Sequence, residues 1–102
     1  MEKLVRDKII PRALSNWENI EFRKTEWDEK LEFLFKKLVE EALELQKDRN
    51  KEELADVEEV IIKLYDHLGW SREEVEQARL KKIEKNGGFE KGYILTLPES
   101  WN

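Results

Sequence analysis

Residues 31–69 decide the fold, and they read LEFLFKKLVEEALELQKDRNKEELADVEEVIIKLYDHLG. Apolar residues recur every three or four positions on both sides of a polar run at residues 48–50, which is the period of amphipathic helices. Thr25 and Asp28 resemble a capping pair for the first helix, and Gly69 is a natural terminator for the second. We therefore predict two long helices that form a hairpin. The apolar positions are Leu31, Leu34, Phe35, Leu38, Ala42 and Leu45, then Leu54, Val57, Val60, Ile61, Leu64 and Leu68.

A third helix follows the hairpin. Ser71 and Glu74 have the spacing of a capping box, and the helix they open runs through about Ile83. Asn-Gly-Gly at residues 86–88 tolerates positive φ and closes it. The helical part of the chain is predicted to end there.

The remaining segments carry shorter signals. β-Branched and aromatic residues at 20–24 and 93–97 favour a small two-stranded ribbon beside the helices. Residues 3–14 favour a short helix if Pro11 lies in its first turn, because proline in a helix interior breaks it. The predicted fold class is all-α, a helical hairpin and a third helix forming a helix bundle, with the ribbon as an addition.

Composition limits the classes of function. A length of 102 residues fits one domain, which we take to cover 1–102. Hydrophobic residues are 39% and charged residues 42%, so one subunit has a thin core that dimerisation would relieve. A formal charge of −5 and a pI near 5.1 argue against nucleic acid as the main partner, because such binders carry basic faces.

The chain contains no cysteine, which excludes disulfides, thiolate metal sites and a cysteine nucleophile and suits a reducing compartment. Any metal must then be held by oxygen or by His67, and a lone histidine near a helix end is ordinarily a surface or capping residue. No apolar run approaches the roughly 20 residues that span a bilayer, and the first residues lack the apolar core of a signal peptide. We expect a cytoplasmic protein with no membrane partner.

Acidic side chains on the two long helices lie at the edges of the faces predicted to be buried. On the first helix, Glu41 borders the apolar stripe and Glu44 lies one turn along beside it. On the second, Glu53 projects within the apolar arc and Asp56 lies at its margin. Because a hairpin sets the two pairs opposite each other, we predict four carboxylates around one space.

A carboxylate turned toward a core loses solvation on the order of several kcal/mol, so it must be protonated, paired with a cation or bound to a metal. The sequence offers no obvious basic partner at this edge. Four oxygen donors suit Mg²⁺, or alternatively Mn²⁺, and both ions also bridge substrate phosphates. The alternative is that these are ordinary solvated acids of an acidic helical protein. The pattern alone indicates a candidate divalent-cation site.

Four short motifs resemble one enzyme family. EEALE at residues 40–44 resembles the EExxE element of the MazG-like nucleotide pyrophosphohydrolases, and ELAD at 53–56 resembles their ExxD element. KLVRDKI at 3–9 and NGGFEKG at 86–92 resemble the small single-domain branch described as phosphoribosyl-ATP pyrophosphohydrolase-like. The resemblance spans nearly the whole chain, and the order of the motifs makes it more specific than any one of them. Only the eight residues 45–52 separate the acidic motifs, fewer than the family usually has, so the hairpin is short.

The resemblance implies an all-α fold that assembles as a homodimer or higher oligomer. It also implies Mg²⁺-dependent cleavage of a nucleoside triphosphate, or a related nucleotide, between the α and β phosphates to a monophosphate and pyrophosphate, in a house-cleaning role. By carry-over, the metal ligands are Glu41, Glu44, Glu53 and Asp56. Glu40 would be a further ligand or would orient the attacking water, and with Glu41 it forms the implied catalytic pair.

A polyphosphate substrate also needs cations on the protein. We favour Arg6 and Lys8 in the first segment and Lys82 on the third helix, since arginine offers a forked contact and lysine a point charge. Arg79 and Lys81 are further candidates on that helix. The alternative for Lys81 and Lys82 is a favourable charge near a helix C-terminus.

Two other functions stay open at this point. The first is the phosphoribosyl-ATP step of histidine synthesis, which has the same chemistry and another substrate. The second is a non-catalytic helical interaction module whose acids keep it in solution. The four tryptophans include candidates for stacking on a base, but tryptophan more often packs in cores or interfaces, so no base is predicted.

Overall fold

The computed structural model describes residues 1–101 and is all-helical, which confirms the predicted fold class. The helices are α1 (Ile9–Ser15), α2 (Trp27–Asp48), α3 (Lys51–Leu68) and α4 (Arg72–Asn86), followed by a single 3₁₀ turn at Glu99–Trp101. The chain divides into two units, Met1–Gly69 and Trp70–Asn102. None of the helices within residues 1–101 combines the length and apolar character needed to cross a membrane.

Helices α2 and α3 form the predicted hairpin. They pack against each other and are joined through Arg49 and Asn50, with Arg49 in the left-handed region at φ 50°. At the opposite end, the ring of Trp27 at the start of α2 stacks on His67 near the end of α3, with centroids 3.9 Å apart. This contact shows that the two helices run antiparallel along their whole length.

The interior of the first unit lies between α2 and α3. Leu34, Val60 and Leu64 are its buried apolar residues among those described. The partly buried residues packed against them are Leu4, Leu31, Leu38 and Leu68. Because this core is narrow, side chains at its edge are only partly withdrawn from water.

Local signals set the ends of α3 and α4 where the sequence predicts them. The Glu53 backbone N–H donates to Asn50 Oδ1 at 2.9 Å, which caps α3, and Gly69 ends that helix at φ 76°. Ser71 and Glu74 form the predicted capping box, with hydrogen bonds of 2.9 and 3.1 Å. The cap formed by Asn50 also fixes Glu53 at the start of α3.

The predicted cap of α2 is wrong by one residue. Glu26, rather than Thr25, precedes the helix, and its backbone N–H donates to Glu29 Oε1 at 3.4 Å, so Asp28 has no such role. Glu26 and Glu29 form a capping box of their own. The guanidinium of Arg23 also binds both carboxylate oxygens of Glu29 at 2.7 Å.

The two-stranded ribbon is also a wrong prediction. Neither residues 20–24 nor residues 93–97 form a strand in the part of the chain that the structure describes. The two segments belong to different units, and Tyr93 and Ile94 stay almost fully exposed, so pairing would bury no apolar face. The short helix in the first segment does form, with Pro11 as the third residue of α1, where its missing N–H costs no helical hydrogen bond.

Candidate metal centre

The α2–α3 turn brings five carboxylates together in two overlapping groups. Oxygen atoms of Glu41, Glu53 and Asp56 all lie within 4.8 Å of one another. Oxygen atoms of Glu44, Asp48 and Glu53 do the same. Glu53 belongs to both groups, so the four predicted metal ligands meet around it rather than around one shared centre.

Helix geometry explains the arrangement. Glu41, Glu44 and Asp48 are spaced by three and four residues along α2, so they follow one side of that helix, and Glu53 and Asp56 do so on α3. Asp48 is absent from the predicted ligand set. Its position four residues after Glu44, at the last residue of α2, is a signal in the sequence that would have included it.

Burial separates the two groups. Glu41 is the one buried charged residue among residues 1–100, with 9% of its surface exposed. Glu53 and Asp56 are partly buried, whereas Glu44 and Asp48 are exposed. The group of Glu41, Glu53 and Asp56 is therefore the more dehydrated one, where a cation gains most from the carboxylates.

Glu53 is both desolvated and repelled by the neighbouring acids. Its pKa is raised above the ordinary value, first by loss of solvation and then by the negative charges of Asp48, Asp56, Glu44 and Glu41. No lysine or arginine among residues 1–101 pairs with Glu53. An added cation would relieve this repulsion.

The expectation of no basic partner is wrong for two of the acids. Lys37 Nζ lies 3.1 Å from Glu41 Oε1, one helical turn away on α2. Arg6 Nη2 lies 2.7 Å from Asp56 Oδ1 and comes from the N-terminal segment, 50 residues away in the chain. Lys37 was predictable from its spacing of four residues, whereas no local pattern indicates the approach of Arg6 to Asp56.

Glu40 lies outside both acidic groups of the described residues. Lys3 Nζ donates to its Oε1 at 3.0 Å, and Lys37 Nζ contacts its Oε2 at 3.5 Å. Desolvation raises the pKa of Glu40, but the hydrogen bond from Lys3 and the charge of Lys37 outweigh it, so the pKa lies below its ordinary value. Glu40 is therefore an ionised acid held by lysines, and its role toward water stays a prediction.

The three predicted phosphate-binding cations lie in different places. Arg6 is at the acidic site, and Lys8 is exposed immediately before α1. Lys82 lies on α4 in the second unit, where it lines an open cleft with Arg79 and Phe89. Contact of Lys8 and Lys82 with substrate phosphates stays a prediction.

The first acidic group fits a hard divalent cation. Oxygens on opposite sides of an ion are about 4.2 Å apart for Mg²⁺ and about 4.8 Å apart for Ca²⁺, given metal–oxygen distances near 2.1 and 2.4 Å. The oxygens of Glu41, Glu53 and Asp56 lie within the larger span. A set of ligands made only of carboxylates does not favour soft metals, which prefer sulfur ligands.

Comparisons of this chain with protein-family models, with curated proteins and with solved structures found no match.

Proposed function

We propose that this protein is a Mg²⁺-dependent nucleotide pyrophosphohydrolase, which hydrolyses a nucleoside triphosphate between its α and β phosphates to a monophosphate and pyrophosphate. The observation that carries the proposal is the convergence of Glu41, Glu53 and Asp56 within 4.8 Å on a short helical hairpin. The motif resemblance of residues 40–44 and 53–56, which include these three acids, points to the same reaction. Mn²⁺ is the alternative cofactor.

Four acidic side chains of the hairpin, together with Arg6, have parts in the proposed reaction. Glu41, Glu53 and Asp56 would hold the ion, and Glu44 would extend the set through Glu53. Bound Mg²⁺ supplies polarisation of phosphate oxygens and a lowered pKa for a coordinated water. Arg6 supplies a guanidinium at the edge of the site, which suits the forked recognition of a phosphate.

The test is pyrophosphate release from a panel of canonical and modified nucleoside triphosphates and phosphoribosyl-ATP, at saturating Mg²⁺. We expect release from at least one, and we expect Glu53→Gln to reduce it about a hundredfold or more, since second-shell changes alone cost 10- to 100-fold. Glu58→Gln is the matched control, because it removes the same charge from an exposed position on α3. Circular dichroism checks that each variant is folded.

Absence of pyrophosphate release from every nucleotide of the panel, or equal rates of release by Glu53→Gln and the control, would contradict the enzyme proposal. Pyrophosphate release from phosphoribosyl-ATP alone would instead assign the protein to the phosphoribosyl-ATP step of histidine synthesis.

A second candidate is the non-catalytic helical module. It is favoured by the contacts of Lys37 with Glu41 and Arg6 with Asp56, which neutralise two of the acids without a metal. Under this alternative the protein binds no divalent cation and releases no pyrophosphate. The repulsion around Glu53, which these two pairs leave in place, supports the enzyme instead.

We also propose that the protein assembles with a second copy of itself. Phe35, Val39 and Leu43 are spaced by four along α2 and are 43–60% exposed, so they form an apolar stripe on one side of that helix. Exposed apolar side chains that share one face of a helix are the kind of surface that a second copy would bury. Sedimentation of the wild type and of Val39→Glu tests this, with the wild type expected as a dimer or larger and the variant as a monomer.

A cytoplasmic location is part of the proposal, because the absence of cysteine suits a reducing compartment.

A further inference from the structure

The first six residues lie across the α2–α3 hairpin. Lys3 reaches Glu40 on α2 at 3.0 Å, and Arg6 reaches Asp56 on α3 at 2.7 Å. Between these two contacts, Leu4 packs against the hydrophobic core. The segment therefore touches both helices and the interior between them, and we call residues 1–6 the strap.

The strap is also fastened at its beginning. Arg23 binds the carboxylate of Glu2 through two nitrogens at 2.8 and 3.2 Å, and the same guanidinium holds Glu29 at the start of α2. Contacts before and after Leu4 thus keep the chain in place. This leaves Arg6 at the acidic site as the last fastened residue before α1.

The contact of Arg6 with Asp56 is suited to exchange. The two side chains are 58% and 38% exposed, and one guanidinium nitrogen contacts one carboxylate oxygen. Exposed pairs of this kind are weak, because water and salt screen them. Asp56 at the same time belongs to the more dehydrated acidic group, with Glu41 and Glu53.

The guanidinium of Arg6 and a divalent ion bound at this site are both attracted by the negative charge of Asp56. Arg6 can use only the charge of Asp56, whereas an ion among the three carboxylates has twice the charge and several partners. Like charges that share one carboxylate also repel each other over a few ångströms. Arg6 is therefore expected to lower the affinity of the site for a cation rather than to assist it.

Resting on the proposed metal-dependent function, we propose that the strap regulates the acidic site: Arg6 is the internal counter-ion of Asp56, and a divalent cation competes with it for that carboxylate. In the metal-free protein the chain itself then supplies the counter-ion of Asp56. Binding of the cation opens the strap at Arg6 while Leu4 and Lys3 keep the rest of it attached.

The experiment is a titration of Mn²⁺ into the full chain, with free Mn²⁺ measured by electron paramagnetic resonance. We expect Arg6→Gln to bind Mn²⁺ about two- to fivefold more tightly than the wild type, which is the range of an exposed ion pair. Arg6→Lys keeps the charge and should bind like the wild type. Arg12→Gln removes an equal charge from the exposed face of α1 and should change the affinity much less.

The possible outcomes separate this inference from the proposed function. If the wild type binds Mn²⁺ and Arg6→Gln binds it equally well or more weakly, the strap inference alone is overturned. Binding by Arg6→Gln but not by the wild type would support both. Absence of binding by both folded proteins would overturn both, and circular dichroism establishes that they are folded.

Discussion

The contact between Lys37 and Glu41 gives a prediction that separates a structural acid from a metal ligand. It is the most buried of the described ion pairs, with side chains 15% and 11% exposed and an N···O distance of 3.1 Å. Lys37→Gln leaves Glu41 dehydrated and without its nearest cation. Glu41→Gln removes the acid itself, and Lys37 keeps its contact with Glu40 at 3.5 Å.

The magnitude follows from the distance and the burial of the pair. At 3.1 Å and an effective dielectric constant of 20, the attraction is about 5 kcal/mol. Desolvation and the ordering of the lysine offset most of it, and the pair is less enclosed than those whose disruption costs 3–5 kcal/mol. We expect Lys37→Gln to lower the free energy of unfolding by about 1–2 kcal/mol. Each kcal/mol corresponds to a change of about 4–8 °C in Tm for a domain of this size.

The assay is thermal denaturation followed by circular dichroism, with and without Mg²⁺. A metal at one hundred times its Kd stabilises a folded protein by about 2.7 kcal/mol, and in Lys37→Gln it also replaces the missing counter-ion of Glu41. Mg²⁺ should therefore raise the Tm of Lys37→Gln more than that of the wild type, and that of Glu41→Gln least. Lys30→Gln is the control, because Lys30 is exposed on the same helix. A Tm of Lys37→Gln equal to that of this control would contradict the stabilising role of Lys37. Equal stabilisation of Glu41→Gln and the wild type by Mg²⁺ would contradict Glu41 as a metal ligand.

Further predictions concern Glu53, the core and a helix end. Glu53→Gln should raise the Tm of the metal-free protein, because it removes the carboxylate that its neighbours repel. Because the pKa of Glu53 is raised on folding, the folded state binds its proton more strongly than the unfolded state does. The stability of the wild type, relative to Glu53→Gln, should therefore rise as the pH falls through that raised pKa toward the ordinary value. Urea unfolding at several pH values would detect this. Leu34→Ala should cost about 2–4 kcal/mol in urea unfolding, and Leu54→Ala, at a half-exposed position, clearly less; equal losses would contradict the core described above. Gly69→Ala should cost about 1 kcal/mol, because its φ of 76° strains any side chain, and an unchanged Tm would count against that backbone conformation.

The parts of the fold that could be predicted depend on residues close together in the chain. The capping box of Ser71 and Glu74 and the stop at Gly69 are written within a few positions, and the structure confirms them. The helical period likewise places Glu41 and Glu53 at the edge of the buried face. The cap of α2 was missed although Glu26 and Glu29 also have the spacing of a capping box, because threonine is the more usual residue at an N-cap than glutamate.

The parts that could not be predicted depend on distant residues. Arg6 meets Asp56 across 50 positions and Lys3 meets Glu40 across 37, and a pattern within one helix contains no information about such a contact. The false ribbon has the same origin, because strand propensity says nothing about whether two distant segments meet. Lys37 and Asp48 differ from these, since their spacing of four residues from Glu41 and Glu44 made them predictable.

Calorimetric titration of Mg²⁺ into the full chain tests most directly whether the two helices of the hairpin share a divalent cation. Saturable binding is predicted for the wild type and for Glu58→Gln, with loss of that binding in Glu53→Gln, whose carboxylate belongs to both acidic groups. No saturable binding at Mg²⁺ concentrations on the order of millimolar, or equal binding in Glu53→Gln, would contradict a metal centre at this hairpin.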